Sequence, residues 1–210
     1  MVVGQNFLRV KKIFISIFLF LISINISFAE NLNFEKIVDL NDPWGSTFVS
    51  NDKLLITEKS GKIKIINLNS KKISEVNHNL NYREHGQGGL LDILFKDNFV
   101  YISYTENRGN QKTSTSIAKT NFNEKNLIFK NIFQANPPID SGYHFGSRLA
   151  IKDNYLFASA GERGQGMIAQ DPTKHPGSII RINIDGSIPK DNPKFEGKSD
   201  WLPEIYQIGI

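Results

Sequence analysis

Two glycine-rich segments carry the residues best suited to chemistry. In Ser141-Gly142-Tyr143-His144-Phe145-Gly146-Ser147-Arg148-Leu149-Ala150, a histidine stands beside glycine and tyrosine just before an apolar run. An imidazole titrates at about 6.5 when unperturbed, so a neutral His144 could take a proton from a hydroxyl near neutral pH. In Ala160-Gly161-Glu162-Arg163-Gly164-Gln165-Gly166, followed by Gln170-Asp171-Pro172, Glu162 could orient that imidazole and favour its charged form. A third segment, Gly86-Gln87-Gly88-Gly89-Leu90-Leu91-Asp92, sets one hydrogen-bonding side chain among three glycines and follows Arg83-Glu84-His85. Each segment also has a plainer reading. The histidine is then a hydrogen-bonded structural residue, the Glu-Arg pair the tip of a surface hairpin, and the glycines a tight turn entering a strand.

The surrounding sequence must hold these residues in place, and it reads as all-β. Runs such as Lys53–Thr57 and Lys62–Ile66 are rich in β-branched residues and bounded by turn residues, as at Lys59-Ser60-Gly61. After residue 29 no stretch keeps a helical apolar period for three turns. A repeat opens at Asp52, Asp97 and Asp153, spaced 45 and 56 residues apart. In each copy a polar turn leads into an apolar strand ending in Thr57, Ser103 or Ser159. A second strand follows at 62–67, 116–121 and 178–183, each ending in asparagine. Four-stranded propeller blades recur at about 40–50 residues. In such a fold the innermost strand of a blade begins near the central channel, which is where His144 would stand. The chain has room for about three blades, whereas propellers close with about 4–8. An incomplete ring is therefore expected, with the strand at Glu204–Gly209 running directly to residue 210.

Composition narrows the function classes. With 40% hydrophobic and 22% charged residues in 210, the chain fits a globular domain with a real core. It has no cysteine, so no disulfide framework is possible. Residues 1–29 have the pattern of a cleaved signal peptide. Arg9, Lys11 and Lys12 precede an apolar run from Ile13 to Ile24, and Ser27-Phe28-Ala29 offers a cleavage site. The apolar run is short for a membrane span, so no stable membrane insertion is expected after cleavage. Without those residues, 22 basic side chains face 21 acidic ones, which leaves no basic surface for nucleic acid. A periplasmic or secreted protein is expected, its domain spanning residues 30–210. His78, His85, His144 and His175 are scattered without metal-ligand spacing, which argues against a metal-dependent propeller hydrolase.

Taken together, the motifs resemble the soluble glucose/sorbosone dehydrogenase family of quinoprotein propellers. The resemblance rests on Asp42-Pro43-Trp44-Gly45 with Thr57-Glu58 and Gly61, on Gly86–Asp92, and on Tyr101-Ile102-Ser103-Tyr104. It continues through Gly142–Leu149, Gly161–Gln165 with Gln170-Asp171, and Arg181–Pro189 with Asp191-Asn192-Pro193. It implies a six-bladed β-propeller that binds pyrroloquinoline quinone, usually with calcium, and oxidises a sugar hydroxyl by hydride transfer to the quinone. The family's general base falls on His144 and its acidic partner on Glu162, where many relatives have aspartate. Gln87 falls on a sugar- or cofactor-contacting position. Tyr143, Arg148 and Gln165 are further candidates for substrate or cofactor contact, and no metal ligand is assigned within the chain. Tyr143 replaces an acidic residue of the glucose-oxidising members, which favours a broader aldose specificity. The calcium ligands and most of the quinone cradle are expected beyond residue 210. The competing reading is a non-catalytic propeller that binds carbohydrate or protein in the cell envelope; the electron acceptor is not specified by the sequence.

Overall fold

The computed structural model describes residues 32–194, 197 and 199–210, so the expected signal peptide lies outside the described residues. From Ile37 onward the chain forms one compact unit. Its described residues form thirteen strands and one short 3-10 helix at Gly166–Gln170. No helix among the described residues is long and apolar enough to cross a membrane.

The strands build three antiparallel four-stranded meanders, as an arc of three blades requires. The first sheet contains β1 (Pro43–Ser50), β2 (Lys53–Glu58), β3 (Lys62–Asn67) and β4 (Ile73–His78). The second contains β5 (Leu90–Lys96), β6 (Phe99–Asn107), β7 (Thr113–Asn121) and β9 (Lys130–Gln134). Between β7 and β9 the short β8 (Asn126–Leu127) leaves this sheet and pairs parallel to β4. The third contains β10 (Gly146–Lys152), β11 (Tyr155–Ala160), β12 (Ser178–Asn183) and β13 (Ile205–Ile208). Inner strands β1, β5 and β10 lie side by side, with β5 packed against both of the others.

Strand alternation explains how one sheet serves two cores. Along β6, Val100, Ile102 and Tyr104 join Leu55, Ile63 and Ile65 in the core between the first and second sheets. Tyr101 points the other way and packs with Leu156, Ile180 and Ile182 of the third sheet. Burial on both faces accounts for the near-continuous apolar run of β6 in the sequence.

The sequence repeat marks the second and third strands of each sheet, not its beginning. The terminal hydroxyl of that repeat has a structural purpose. Each inner strand carries a bulge at the same place, between Pro43 and Ser46, Leu90 and Ile93, and Gly146 and Leu149. In the first sheet, Thr57 Oγ1 accepts the Gly45 N–H of its own bulge at 3.0 Å and donates to the Leu91 carbonyl of the next sheet at 2.5 Å. In the second, Ser103 Oγ accepts the Asp92 N–H at 3.0 Å and donates to the Ser147 carbonyl at 2.6 Å. In the third, Ser159 Oγ accepts the Arg148 N–H at 3.2 Å. A small hydroxyl at the end of the second strand thus satisfies the bulge of one sheet and joins it to its neighbour.

Candidate active site

The third sheet brings His144 and Glu162 together through strand pairing. The register of β10 against β11 sets Gly146 opposite Ala160. The residues just before β10 therefore meet those just after β11. Two backbone bonds extend the pairing past the strand ends, from Gly161 N–H to the Phe145 carbonyl at 3.1 Å and from Arg163 N–H to the His144 carbonyl at 3.3 Å. Position 161 must be glycine, because a Cβ there would lie 2.1 Å from the His144 carbonyl oxygen. Glu162 thus follows a second strand, not an innermost one, and reaches the histidine because the two strand ends coincide.

His144 Nδ1 lies 2.6 Å and 2.8 Å from the two oxygens of Glu162. A carboxylate only accepts, so Nδ1 carries the proton and Nε2 of a neutral ring keeps its lone pair. Among the described residues Nε2 has no hydrogen-bond partner, and the His144 side chain is 54% exposed. Burial disfavours the charged form of Glu162, but the His144 hydrogen bond, the imidazole's charge and the Gly164 N–H at 3.1 Å outweigh it. Its carboxyl lies below the ordinary value of 4.5, so it is ionised at neutral pH.

The loop bearing His144 is gripped from two sides. From the second sheet, Gln87 N–H donates to the Gly142 carbonyl at 2.8 Å, and Gln87 Oε1 accepts the His144 N–H at 2.8 Å. From beside Glu162, the buried Arg163 donates through Nε to the Tyr143 carbonyl at 3.0 Å. Its Nη1 donates to the Thr113 carbonyl at 3.1 Å, and its Nη2 to Thr113 Oγ1 at 2.9 Å and to the Ser141 carbonyl. The guanidinium carbon lies 3.7 Å from the centre of the Phe145 ring. Burial pushes the Arg163 pKa down to about 10, partly offset by the Glu162 charge, so Arg163 stays a cation at neutral pH.

The other sequence candidates take distinct places. Tyr143 is exposed, with its ring edge-on to His144 at 6.2 Å between centroids. Arg148 donates to Asp92 Oδ1 at 3.2 Å, yet its side chain is 69% exposed. Gln165 is exposed on the turn after Glu162 and caps the 3-10 helix without a side-chain hydrogen bond. His144, Glu162, Gln87 and Tyr143 therefore form one cluster, while Arg148 is engaged with the inner strand of the second sheet. The cluster stands on an open shelf. A cavity of about 850 Å³ lies elsewhere, lined by residues such as Ile188, Trp201 and Pro203.

Sequence reasoning missed two residues. Arg163 read only as half of a solvated Glu-Arg pair, but its side chain is buried against the histidine loop. Asp92 closed a motif without a role of its own. It accepts from Leu149 N–H at 2.9 Å and from Arg148, tying β5 to β10. The signal for Asp92 was its placement directly after an apolar pair at the start of an inner strand.

Comparison with known proteins agrees with this architecture. The glucose/sorbosone dehydrogenase family profile matches residues 40–210. The chain belongs to that family. It is 32% identical over 190 residues to the aldose sugar dehydrogenase YliI of Escherichia coli strain K12, covering 85% of this chain and 51% of that protein. It is 28% identical to quinoprotein glucose dehydrogenase B of Acinetobacter calcoaceticus, covering 86% of this chain and 45% of that protein. The solved apo structure of the soluble Escherichia coli aldose sugar dehydrogenase superposes with a TM-score of 0.73 at 30% identity, covering 79% of this chain and 50% of that one. The chain thus spans about half the length of the curated relatives it matches.

Proposed function

We propose that this chain contributes the proton-accepting side of a quinone-dependent aldose dehydrogenase, with His144 as general base and Glu162 as its orienting carboxylate. Export to the periplasm or the exterior belongs to the same reading and rests on residues 1–29. The observation that carries the proposal is the arrangement of the imidazole: Nδ1 faces an ionised carboxylate, and on the exposed side chain Nε2 has no partner among the described residues.

On this reading the cofactor is pyrroloquinoline quinone, a planar tricarboxylate that accepts a hydride when bound. The described residues fit one side of such a group. Arg148 offers an exposed cation with N–H donors beyond the one given to Asp92, Tyr143 an exposed aromatic face, and Gln87 a side-chain amide N–H₂ without a partner among the described residues. Gln165 is exposed on the turn beyond Glu162 and is assigned to the outer edge of the substrate cleft. Calcium, expected alongside the quinone, has no supporting group of three or more His, Asp or Glu side chains among the described residues.

The chain's own residues supply the proton path. A sugar hydroxyl seated beside Nε2 loses its proton to that nitrogen as its carbon gives up a hydride. The ring becomes an imidazolium whose Nδ1–H already points at the Glu162 carboxylate, so the new charge forms next to its counter-charge. Glu162 keeps the tautomer fixed, and no ring flip is needed between turnovers. The family resemblance sets Tyr143 at a position expected to be acidic in glucose-oxidising members, and on that reading aldoses other than glucose alone are favoured.

The test is reconstitution of the mature chain, and of any longer form of it, with pyrroloquinoline quinone and calcium, followed by dye reduction with a panel of aldoses. Sugar-dependent reduction is expected. Folded protein that loads the quinone yet reduces no dye with any aldose would favour the non-catalytic, carbohydrate-binding reading.

A further inference from the structure

The amide of Gln87 has two ends with different fates. Its oxygen is spent on the His144 N–H, while its nitrogen has no partner among the described residues. The bond it makes crosses between sheets, because Gln87 precedes β5 of the second sheet and His144 precedes β10 of the third. The approach is close by design of the backbone. Gly86 adopts φ +58°, and a Cβ on it would lie 2.4 Å from the Gly142 carbonyl oxygen, so only glycine lets the two loops touch. Gln87 then closes on the loop with its backbone N–H on Gly142 and its side-chain oxygen on His144.

His144 needs such a hold. Its φ is +47°, in the left-handed region where a non-glycine residue is strained. A residue held there by tertiary contacts relaxes when the contacts are removed, and the ring then leaves the line between Glu162 and the shelf. The Arg163 bonds to Ser141 and Tyr143 fix the preceding carbonyls, and Arg163 N–H takes the His144 carbonyl. The His144 N–H is held by Gln87.

We propose that Gln87 is a positioning residue for the base, acting through its amide oxygen on the backbone of His144 and holding the left-handed conformation that aims Nε2 outward. The inference rests on the reading of His144 as base, but its structural half stands on backbone geometry and can be tested separately. A purely ligand-contacting Gln87 would act through its amide nitrogen instead. The two ends are separated by substitution, since Gln87→Glu keeps an acceptor oxygen and lacks the donor, whereas Gln87→Leu lacks both.

The first readout is amide hydrogen exchange of the His144 N–H in the chain itself, with the Thr113 N–H, bonded to the Ile139 carbonyl, as an internal reference. Gln87→Leu is expected to speed His144 exchange by about tenfold, as loss of one hydrogen bond implies, with Thr113 unchanged. Gln87→Glu is expected to restore most of the protection. The second readout is turnover in the quinone-loaded form, where Gln87→Leu lowers kcat and leaves KM within about twofold, as for a group that acts on the chemical step. Unchanged His144 exchange in Gln87→Leu overturns the proposal, as does a Gln87→Glu variant whose His144 exchange matches that of Gln87→Leu. A rise in KM with kcat intact also overturns it and assigns Gln87 to ligand contact. His144→Ala with normal turnover would remove the base reading while leaving the exchange result in force, so the two failures are distinguishable.

Discussion

Among the described residues two histidine–glutamate pairs stand just beyond strand ends of the third sheet, and they differ in what each ring has left over. His144 gives Nδ1 to Glu162 at 2.6 Å and keeps Nε2 open. His175 is 5% exposed and spends both nitrogens. Its Nδ1 accepts the Asn136 N–H at 3.0 Å, its Nε2 faces Glu204 at 3.5 Å, and its ring packs edge-on against Phe133. Both carboxyls lie below the ordinary glutamate value. For Glu204 the His175 hydrogen bond is the leading cause, whereas Glu162 must first overcome its own desolvation. A histidine beside a carboxylate is therefore not in itself a site. Chemistry requires a ring nitrogen that the fold orients and then leaves unused.

This contrast predicts opposite phenotypes. In the quinone-loaded form, His144→Ala should lower turnover by at least about a hundredfold, the range for loss of a general base. Its melting transition should move little, because an exposed side chain contributes little to stability. Equal losses of turnover in His144→Ala and in a variant at His175 would break the distinction. His175→Ala should cost roughly 2 kcal/mol of stability, from an unpaired Asn136 N–H and lost packing against Phe133, with turnover per folded molecule preserved. Denaturant unfolding alongside kinetics separates the two cases.

A smaller effect sharpens the role of the carboxylate. Glu162→Gln keeps an acceptor for Nδ1–H and removes the counter-charge to the imidazolium formed in the reaction, so about a tenfold fall in turnover is expected. The acid limb of stability offers a further check. The folded-state values of Glu162 and Glu204 are both depressed, so each contributes stability that is present above the ordinary value of 4.5 and lost as pH falls below it. Glu162→Gln and Glu204→Gln should each flatten that limb in pH-dependent unfolding. The smallest change is expected between the sheets: Ser103→Ala, which removes the hydroxyl shared by Asp92 N–H and the Ser147 carbonyl, should cost about 1 kcal/mol.

Much of the fold was legible because its signals are local. Strands with turn punctuation repeat along the chain, and the hydroxyl that ends each second strand recurs because every bulge needs the same partner. The family motifs also brought His144 and Glu162 forward before any geometry was available. The inner strands were harder to read. Pro43–Ser50 and Gly146–Lys152 are bulged and mixed in polarity, so neither alternates cleanly enough to announce itself. The roles of Gln87, Asp92 and Arg163 were hidden for another reason. Their partners lie 57, 57 and 50 residues away, across sheet boundaries, and no local pattern encodes a contact of that range.

The tautomers of the two histidines test the account most directly. Nitrogen-15 spectra of the imidazole rings can be recorded on the chain itself near neutral pH, without cofactor or substrate. For the neutral rings, the structure predicts a proton on Nδ1 of His144 with Nε2 bare, and the reverse for His175, whose Nδ1 is occupied as an acceptor. A neutral His144 protonated on Nε2, with no coupling of Nδ1 to Glu162, would contradict the arrangement on which the proposed proton transfer depends.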